Sequence, residues 1–454
     1  MSYDTLYFAV FLAVVWVAFR IFPWGGWILL IASIVFYSVA GLRDSILAAT
    51  LILLNYGFQF LIVRNSRWLW AILAINFGCL AYFKYRVFLA TTAGVNFYTG
   101  DIVIPLGISF YVFQLSAFMV DIKRKTAQPF YSLARFSLFK LFFGQLVAGP
   151  IMRWRQFGWQ INHVFEGTLR QHRLLGLGLG LCLLGLTKKI VFADSFAPIV
   201  DDIFRAGPAS ASVAWLGAWL FGFQIYFDFS GYSDIALGIA YLFGMRLAVN
   251  FRQPYLSRTP QEFWQRWHIT LSQWIRDYLY IPLGGNRGSR LRVIAVLVVV
   301  MALAGLWHGS NWTFAIWGMG WAVMILLWRL AGTHLANVSI LPWLITLTAT
   351  FLLWVFFRAA DISSALAYIG TMFGARPTGG AALPADGFGG LLIALGCAGL
   401  IALHWIEAQL FSSRVVRLFR RFDGAFLRGV LIGLSLWLLL LPKASDAPFI
   451  YFRF

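Results

Sequence analysis

Long apolar stretches recur along the whole chain, and they constrain its fold more than any other feature of the sequence. Of the 454 residues, 61% are hydrophobic and only 12% are charged, about half of the roughly 25% usual in soluble domains. Such stretches predict membrane-spanning helices, and they lack the strict alternation of transmembrane strands. The expected fold class is therefore all-α and polytopic. The predicted segments are Leu6–Phe22, Trp27–Ala40, Ser45–Val63, Trp68–Phe83, Ile102–Val120, Phe136–Ala148, Leu174–Phe192, Val213–Phe229, Ile235–Leu247, Val293–Leu306, Trp312–Leu330, Leu341–Phe357, Leu391–Leu410 and Val430–Leu441.

Several of these segments are too short to cross a membrane, and two of them are the clearest cases. Phe136–Ala148 and Ile235–Leu247 fall below the ~20 residues that span the hydrocarbon core. We predict that they are re-entrant or interfacial, which is tolerated where protein or a water-filled cavity covers the backbone. Roughly eleven crossings remain. No soluble domain is evident, so residues 1–454 are predicted to form a single membrane domain.

The formal net charge of +19 does not indicate a nucleic-acid-binding protein. In a membrane protein, Lys and Arg collect in cytoplasmic loops and face the anionic headgroups of the bilayer. The most basic loops are residues 246–292 and 414–428, which places both in the cytoplasm. The N-terminus and the C-terminus are then expected on the periplasmic side, although Lys84 and Arg86 fit this scheme poorly.

The central stretch Asn250–Arg292 is polar, aromatic and basic, with no apolar span. Thr259, followed by a proline, predicts a helix start, and Glu262 three residues later allows a capping box. We expect amphipathic helices that form a floor at the cytoplasmic leaflet. On one continuous helix, His268 would share a face with Trp264, Gln265, Leu271 and Ser272.

Two histidines are the candidate catalytic residues. His308 lies between two predicted spans, where an ionisable side chain is costly and suits a general base that accepts a proton from a hydroxyl. Gly305 and Gly309 flank it and would allow close approach of a helix or a substrate. His268 would orient a substrate or relay a proton. A histidine hydrogen-bonded between helices, or to a backbone carbonyl at the interface, is the structural alternative for each.

Other polar residues are candidates for ligand binding. Asp228 lies among aromatic residues near the end of a predicted span, where a buried carboxylate needs a partner, and pairing with an Arg or a His is the favoured alternative. Gly284-Gly285-Asn286-Arg287 would offer backbone amides and a guanidinium to a phosphate, although a tight turn is the default interpretation. The spacing of the six histidines and three cysteines indicates no metal site.

Several motifs in order along the chain carry a resemblance to a known family. They are Ile104–Tyr111, Val147–Ile151, Tyr226–Asp234, Asn250–Tyr255, Glu262–His268, Arg276–Arg287, Trp307–Gly309 and Pro448–Phe454. With these motifs the chain resembles the membrane-bound O-acyltransferases, in particular the bacterial branch of alginate O-acetyltransferase and related polysaccharide acetylation proteins. The D-alanyl transfer protein of teichoic acid modification is a cousin.

The resemblance implies a ring of helices around a thin, funnelled centre. His308 would be the catalytic histidine and His268 the second characteristic one. No cofactor would be bound; the acyl donor would be a cytoplasmic thioester, either acetyl-CoA or an acyl-carrier-protein thioester. The reaction would need a water-accessible path from both sides of the membrane that stops short of being a pore. Residues expected to bind substrate or donor are Arg266, Trp307, Asp228, Asn286 and Arg287.

In this branch the acyl group, here taken as acetyl, crosses the bacterial inner membrane. A periplasmic or membrane-anchored, esterase-like acyltransferase would accept it and modify an exported polysaccharide. D-Alanyl transfer from a carrier protein to teichoic-acid-like polymers is the alternative. A proton-coupled transporter or flippase is an alternative of another class, but the paired repeats and broken helices typical of that class are not seen.

Overall fold

The computed structural model describes residues 3–95, 103–147, 149–169, 174–335, 340–375, 380, 389–410, 424–442 and 449. Within these ranges the chain forms helices and no β-strand, which confirms the all-α prediction. The chain divides into two compact units. Unit 1 comprises Met1–Leu186, Tyr232–Val249 and Phe419–Leu441, and unit 2 comprises Thr187–Gly231, Asn250–Leu418 and Pro442–Phe454. The single membrane domain over residues 1–454 stays a prediction.

Unit 1 contains the N-terminal helices. Helix α3 packs against α4 and α6, α2 packs against α7 and α8, and α9 packs against α19. The bounds are α1 (Leu6–Ile21), α2 (Gly25–Ser38), α3 (Leu42–Arg64), α4 (Trp68–Leu80), α5 (Arg86–Thr92), α6 (Ile108–Lys123), α7 (Leu133–Leu141), α8 (Trp159–Phe165), α9 (Leu175–Leu186) and α19 (Ala425–Leu440), with π-helical segments at Ala81–Tyr85 and Trp154–Gly158.

Unit 2 contains both candidate histidines. Its core joins α10, α11, α16 and α17 through buried Ile203, Ala218, Val355 and Tyr368. The bounds are α10 (Asp194–Ala206), α11 (Ala211–Leu242, whose last residues belong to unit 1), α12 (Pro260–Arg266), α13 (Ile269–Ile275), α14 (Arg290–His308), α15 (Trp312–Leu335), α16 (Leu341–Arg358), α17 (Ile362–Met372) and α18 (Gly389–Leu410), with π-helical segments at Thr187–Ala193 and Arg276–Tyr280 and a 3-10 turn at Pro254–Leu256.

Among the described residues, six helical stretches are long and apolar enough to cross a membrane. Four shorter apolar helices accompany them. This pattern agrees with a polytopic membrane protein. The six stretches are Leu42–Arg64, Trp68–Thr92, Leu175–Ala206, Arg290–His308, Trp312–Leu330 and Leu341–Arg358.

One predicted break between two apolar segments is wrong. Val213–Phe229 and Ile235–Leu247 are not separate segments, because α11, one helix of 32 residues, contains the first segment and the second as far as Leu242. Ser230 and Ser233 lie inside it and are 1% and 2% exposed. The polar residues that lower the hydropathy here are therefore buried by packing, and they mark no break in the helix. Helix α7 has nine residues, so Phe136–Ala148 contains no helix of spanning length.

The predicted continuous helix through His268 is also wrong. Helix α12 ends at Arg266, and His268 takes left-handed backbone angles of φ 41° and ψ 53° before α13 begins at Ile269. His268 therefore does not share a helix face with Trp264. The predicted helix start is confirmed, since the Thr259 hydroxyl accepts from the Glu262 N–H at 3.0 Å. The Glu262 carboxylate, however, accepts from the N–H of Arg258 at 2.7 Å.

The α14–α15 hairpin is packed around glycines. A Cβ atom at Gly305 would lie 2.0 Å from the carbonyl oxygen of Phe314, and one at Gly318 would lie 2.0 Å from that of Met301. A Cβ at Gly309 would lie 2.1 Å from the Phe314 ring. The predicted close helix approach at Gly305 is confirmed, and it brings the end of α14 against the start of α15.

Gly305→Ala should therefore force α14 and α15 apart. We expect a loss of about 1–3 kcal/mol in the free energy of unfolding, because overpacking against backbone cannot be relieved by a rotamer change. Thermal unfolding of the purified protein in detergent measures this loss. Gly57→Ala in α3 is the matched control, since a Cβ there meets no atom within 4 Å. Equal melting temperatures for the two variants would contradict this account of the hairpin.

Candidate active site

His308 is the last residue of α14, and its residue is only 3% exposed. Its ring lies edge-on to Trp307, Trp317 and Phe357, with centroid distances of 4.9, 5.2 and 5.2 Å. A helix of 19 residues is about 28 Å long, close to the ~30 Å hydrocarbon core. A membrane-spanning α14 therefore holds Arg290 and His308 toward opposite faces.

His268 is fully buried between α12 and α13. Its Nδ1 atom lies 3.1 Å from the Asn250 Oδ1 atom, and its ring is edge-on to Phe229 at 4.7 Å and to Trp307 at 5.9 Å. Burial lowers the pKa of His268 to about 3, so the imidazole is neutral across the physiological range. The structure thus brings His268, Trp307 and His308 together, with Trp307 in contact with both imidazoles.

Asp228 is held in a buried ion pair. Its Oδ1 atom lies 2.8 Å from the Nζ atom of Lys189, which is also 2.8 Å from a carboxylate oxygen of Asp194. All three side chains are at most 5% exposed. The predicted need for a partner is confirmed, but the partner is a lysine and not the expected Arg or His. In this arrangement Asp228 is engaged within the protein.

The other predicted binding residues lie in the central stretch Asn250–Arg292. Arg266 pairs with Glu262 at 2.7 Å and donates to the Arg252 carbonyl at 3.3 Å. Asn286 accepts through Oδ1 from the Tyr280 hydroxyl at 2.7 Å and from Arg329 at 3.3 Å. Arg287 is exposed. Tyr280 and Arg329 both line the cavity described next, so Asn286 contacts two of its lining residues.

A cavity of about 360 Å³ lies among α12, α13, α14 and α15. Two arginines and a tyrosine line it together with several glutamines, and α14 contributes an apolar wall from Leu297 to Ala304, one helical turn before His308. The cavity is open to the outside, so a ligand can enter it. Its lining is Gln261, Trp264, Gln265, Ile269, Ser272, Gln273, Ile275, Arg276, Tyr280, Leu297, Val300, Met301, Ala304, Ile325 and Arg329.

His308 is not among the residues that line this cavity. The Trp264 ring, which does line it, packs 5.8 Å from the Trp317 ring, and Trp317 contacts His308. In this conformation this cavity therefore does not open onto His308, and a path to His308 from either side of the membrane stays a prediction. Two tryptophan rings, Trp264 and Trp317, separate the cavity from the imidazole.

Sequence reasoning missed a second buried ionic cluster in unit 2. Lys188 pairs with Glu407, and the other Glu407 oxygen accepts from the Tyr226 hydroxyl at 2.7 Å and lies 3.3 Å from the His404 Nδ1 atom. The His404 Nε2 atom accepts from the Tyr255 N–H at 3.3 Å. The signal was present, because Lys188 and Glu407 are ionisable residues within apolar segments, where such residues are costly. The cluster ties α18 to α11 and to the turn at Pro254–Leu256.

The comparisons with known proteins agree with this architecture. Residues 79–368 match the model of the MBOAT, membrane-bound O-acyltransferase family. The chain is 39% identical over 365 residues to the probable alginate O-acetylase AlgI of Azotobacter vinelandii, covering 76% of this chain and 72% of that protein. It is 36% identical over 386 residues to a peptidoglycan O-acetyltransferase of Helicobacter pylori, covering 76% and 73%.

A teichoic acid D-alanyltransferase of Streptococcus thermophilus is a more distant relative. It is 29% identical over 231 residues, which cover 47% of this chain and 54% of that protein. The family match spans more than half of the chain, and the acetyltransferase relatives cover about three quarters of it. The chain therefore belongs to the membrane-bound O-acyltransferase family and is a multi-pass membrane O-acyltransferase.

Proposed function

We propose that this enzyme takes an acetyl group from a cytoplasmic thioester and passes it to a hydroxyl on the other side of the membrane, for the O-acetylation of a polysaccharide. The relatives named for alginate and peptidoglycan acetylation support a polymer acceptor. The observation that carries the proposal is the placement of His308 at one end of α14, with a cavity lined by two arginines along the same helix.

The donor would enter the cavity from the cytoplasmic side. Arg276, which also pairs with Asp277 at 2.6 Å, and Arg329 line it and suit the phosphates of coenzyme A or of a carrier-protein phosphopantetheine, because guanidinium groups bind phosphate strongly. The apolar wall from Leu297 to Ala304 suits the chain that carries the thioester. A donor bound in this orientation would have its acyl carbon toward His308. Asn286, held between Tyr280 and Arg329, would complete the phosphate site.

His308 would act as the general base. As the acceptor oxygen bonds to the acyl carbon, its proton passes to the imidazole, and the carbon–sulfur bond then breaks. The leaving thiolate takes the proton back, so the imidazole returns to its neutral form. The acceptor hydroxyl would belong to the polymer or to an esterase-like partner acyltransferase that delivers the acetyl group to it.

Access from this cavity to His308 requires Trp264 and Trp317 to move. Among the described residues, neither indole N–H has a hydrogen-bond partner, so turning these rings breaks no hydrogen bond. Closing them after the reaction would keep water away from the thioester. The protein can thus carry a reaction centre between two compartments without forming a pore.

The proposed location is the inner membrane of a bacterium. The basic loops, including the block that lines the cavity, would face the cytoplasm. Both termini would then lie in the periplasm, which requires an even number of crossings in place of the roughly eleven expected from the apolar segments.

The test is acyl transfer by the purified protein in lipid nanodiscs. We expect label from acetyl-CoA, or from an acetylated carrier protein, to appear on oligosaccharide acceptors or on the partner acyltransferase when both are supplied. Transfer of D-alanine and not of acetyl would favour the teichoic-acid alternative. Movement of substrate across sealed vesicles without any acyl transfer would contradict the proposal and favour a transporter.

Replacing both cavity arginines should weaken donor binding specifically. In Arg276→Gln/Arg329→Gln we expect the KM for the donor to rise about 10- to 100-fold with kcat nearly unchanged, since a hydrogen bond to a charged group contributes roughly 1.5–3 kcal/mol. Initial rates at varied donor concentration measure this. Arg290→Gln, at the exposed start of α14, is the control. A fall in kcat with an unchanged KM would rule out phosphate binding by this pair.

A further inference from the structure

Asn250 is buried beside His268, and its side chain and backbone form several hydrogen bonds there. It is 1% exposed, and its side-chain Oδ1 atom lies 3.1 Å from His268 Nδ1, 3.2 Å from the Thr270 N atom and 2.9 Å from Thr270 Oγ1. Its backbone carbonyl accepts from the Ile269 N–H at 2.9 Å. A single residue thus contacts the ring of His268 and the two residues that follow it.

The donor set around Asn250 determines where the proton on His268 lies. The backbone N–H of Thr270 can only donate, so the Asn250 atom that faces it must be the amide oxygen and not the amide nitrogen. The same oxygen faces His268 Nδ1, which must therefore carry hydrogen. In a neutral imidazole this leaves the lone pair on Nε2.

Asn250 also holds the unusual backbone of His268. The φ of 41° is rare for a residue with a side chain, and strained backbone of this kind concentrates at functional sites. Helix α13 begins immediately afterwards, with the Ser272 N–H donating to the His268 carbonyl at 3.0 Å. The orientation of the His268 ring is thus fixed both by its hydrogen bond to Asn250 and by the backbone conformation of His268.

We propose that Asn250 is a positioning residue that keeps His268 in the Nδ1–H tautomer, so that Nε2 is the nitrogen that accepts a hydrogen bond from a bound substrate, while His308 takes up the proton. This inference rests on the proposed function. His268 and His308 both contact Trp307, so a substrate bound beside Trp307 lies near both imidazoles. Phe229 of α11, Phe251 and Trp307 of α14 pack against His268, and His308 is a titratable group that shares the Trp307 contact.

Two substitutions separate tautomer control from simple packing. Asn250→Asp keeps an acceptor for His268 Nδ1 and for Thr270, and adds a negative charge that favours the imidazolium. We expect the same tautomer, with the acid limb of the pH profile of kcat moved up by at least about one pH unit. Asn250→Ala removes the acceptor, and we expect kcat to fall about 10- to 100-fold with the donor KM unchanged.

The direct readout is the ¹⁵N spectrum of histidine-labelled protein in nanodiscs, with the His268 signal assigned by its loss in His268→Gln. Wild type and Asn250→Asp should show Nδ1–H, and Asn250→Ala a mixture or the Nε2–H form. Thr270→Val, which removes the Oγ–H donor and keeps the backbone N–H, is the matched control and should keep the wild-type tautomer. Melting temperatures confirm folding, and Asn250→Ser replaces Asn250→Ala if the alanine variant does not fold.

Unchanged His268 signals in Asn250→Ala would overturn the positioning role of Asn250. A changed tautomer with unchanged acyl transfer would overturn the use of His268 Nε2 as a hydrogen-bond acceptor for the substrate. If the wild-type protein transfers no acyl group at all, the proposed function fails, while the spectra still decide the tautomer assignment.

Discussion

We expect His308→Ala to lower the kcat of acyl transfer by about 10²- to 10⁴-fold in a protein that still folds and inserts, because this is the usual contribution of general acid–base catalysis. The imidazole lies at the end of α14 and contacts aromatic rings. Its removal therefore takes away the base and leaves a small cavity, without exposing a buried charge. Single-turnover transfer of labelled acetyl groups in nanodiscs measures the loss.

Two companion variants make this result interpretable. His308→Gln keeps most of the side-chain volume but cannot take up a proton near neutral pH, so we expect it to be as inactive as the alanine variant. His163→Ala removes a histidine whose side chain is 47% exposed and should keep wild-type turnover. Normal transfer by His308→Ala would show that another group acts as the base.

Glu407→Ala destabilises unit 2 by about 3–5 kcal/mol, the cost of removing one partner of a buried ion pair. The Lys188 and Glu407 side chains are 4% and 7% exposed. The substitution removes the carboxylate from beside a buried ammonium group and from the Tyr226 hydroxyl, and it leaves the His404 ring without its acidic neighbour. A lower melting temperature of the purified protein is the expected measurement.

The double variant Lys188→Met/Glu407→Leu is the sharper test. Replacing both charges by apolar groups removes the desolvation cost together with the pair, so the double variant should be more stable than Glu407→Ala. Glu166→Gln is the surface control, because its pair with Arg135 is 32% and 47% exposed, and it should change stability by less than about 1 kcal/mol. Additive losses in the double variant would show that the two side chains are not coupled.

Local sequence patterns predicted the helical parts of this protein well. Apolar runs such as Leu341–Phe357 and Val293–Leu306 lie within one or a few residues of α16 and α14. The Thr259 cap is also local, since an N-cap acts on N–H groups two or three residues away. The order of the motifs indicated the family. Gly305 predicted the close approach of two helices.

The predictions that failed depended on contacts far apart in the chain. A serine in an apolar helix looks like a break until the packing that buries it is known, as in α11 at Ser230. Arg266 looked available to a phosphate, but it donates to the carbonyl of Arg252, 14 residues earlier in the chain. Arg276 and Arg329 lie in different helical segments, and only the fold places both in the lining of one cavity.

The sequence by itself determined the class of protein, the helices and the identity of the two candidate histidines, because hydropathy and motif order act over short distances. Only the tertiary structure decided how those histidines are held. The left-handed turn at His268 depends on Asn250, which lies 18 residues earlier. The pairing of Lys188 with Glu407 joins residues 219 apart, since a buried polar group must find its partner wherever the fold supplies one.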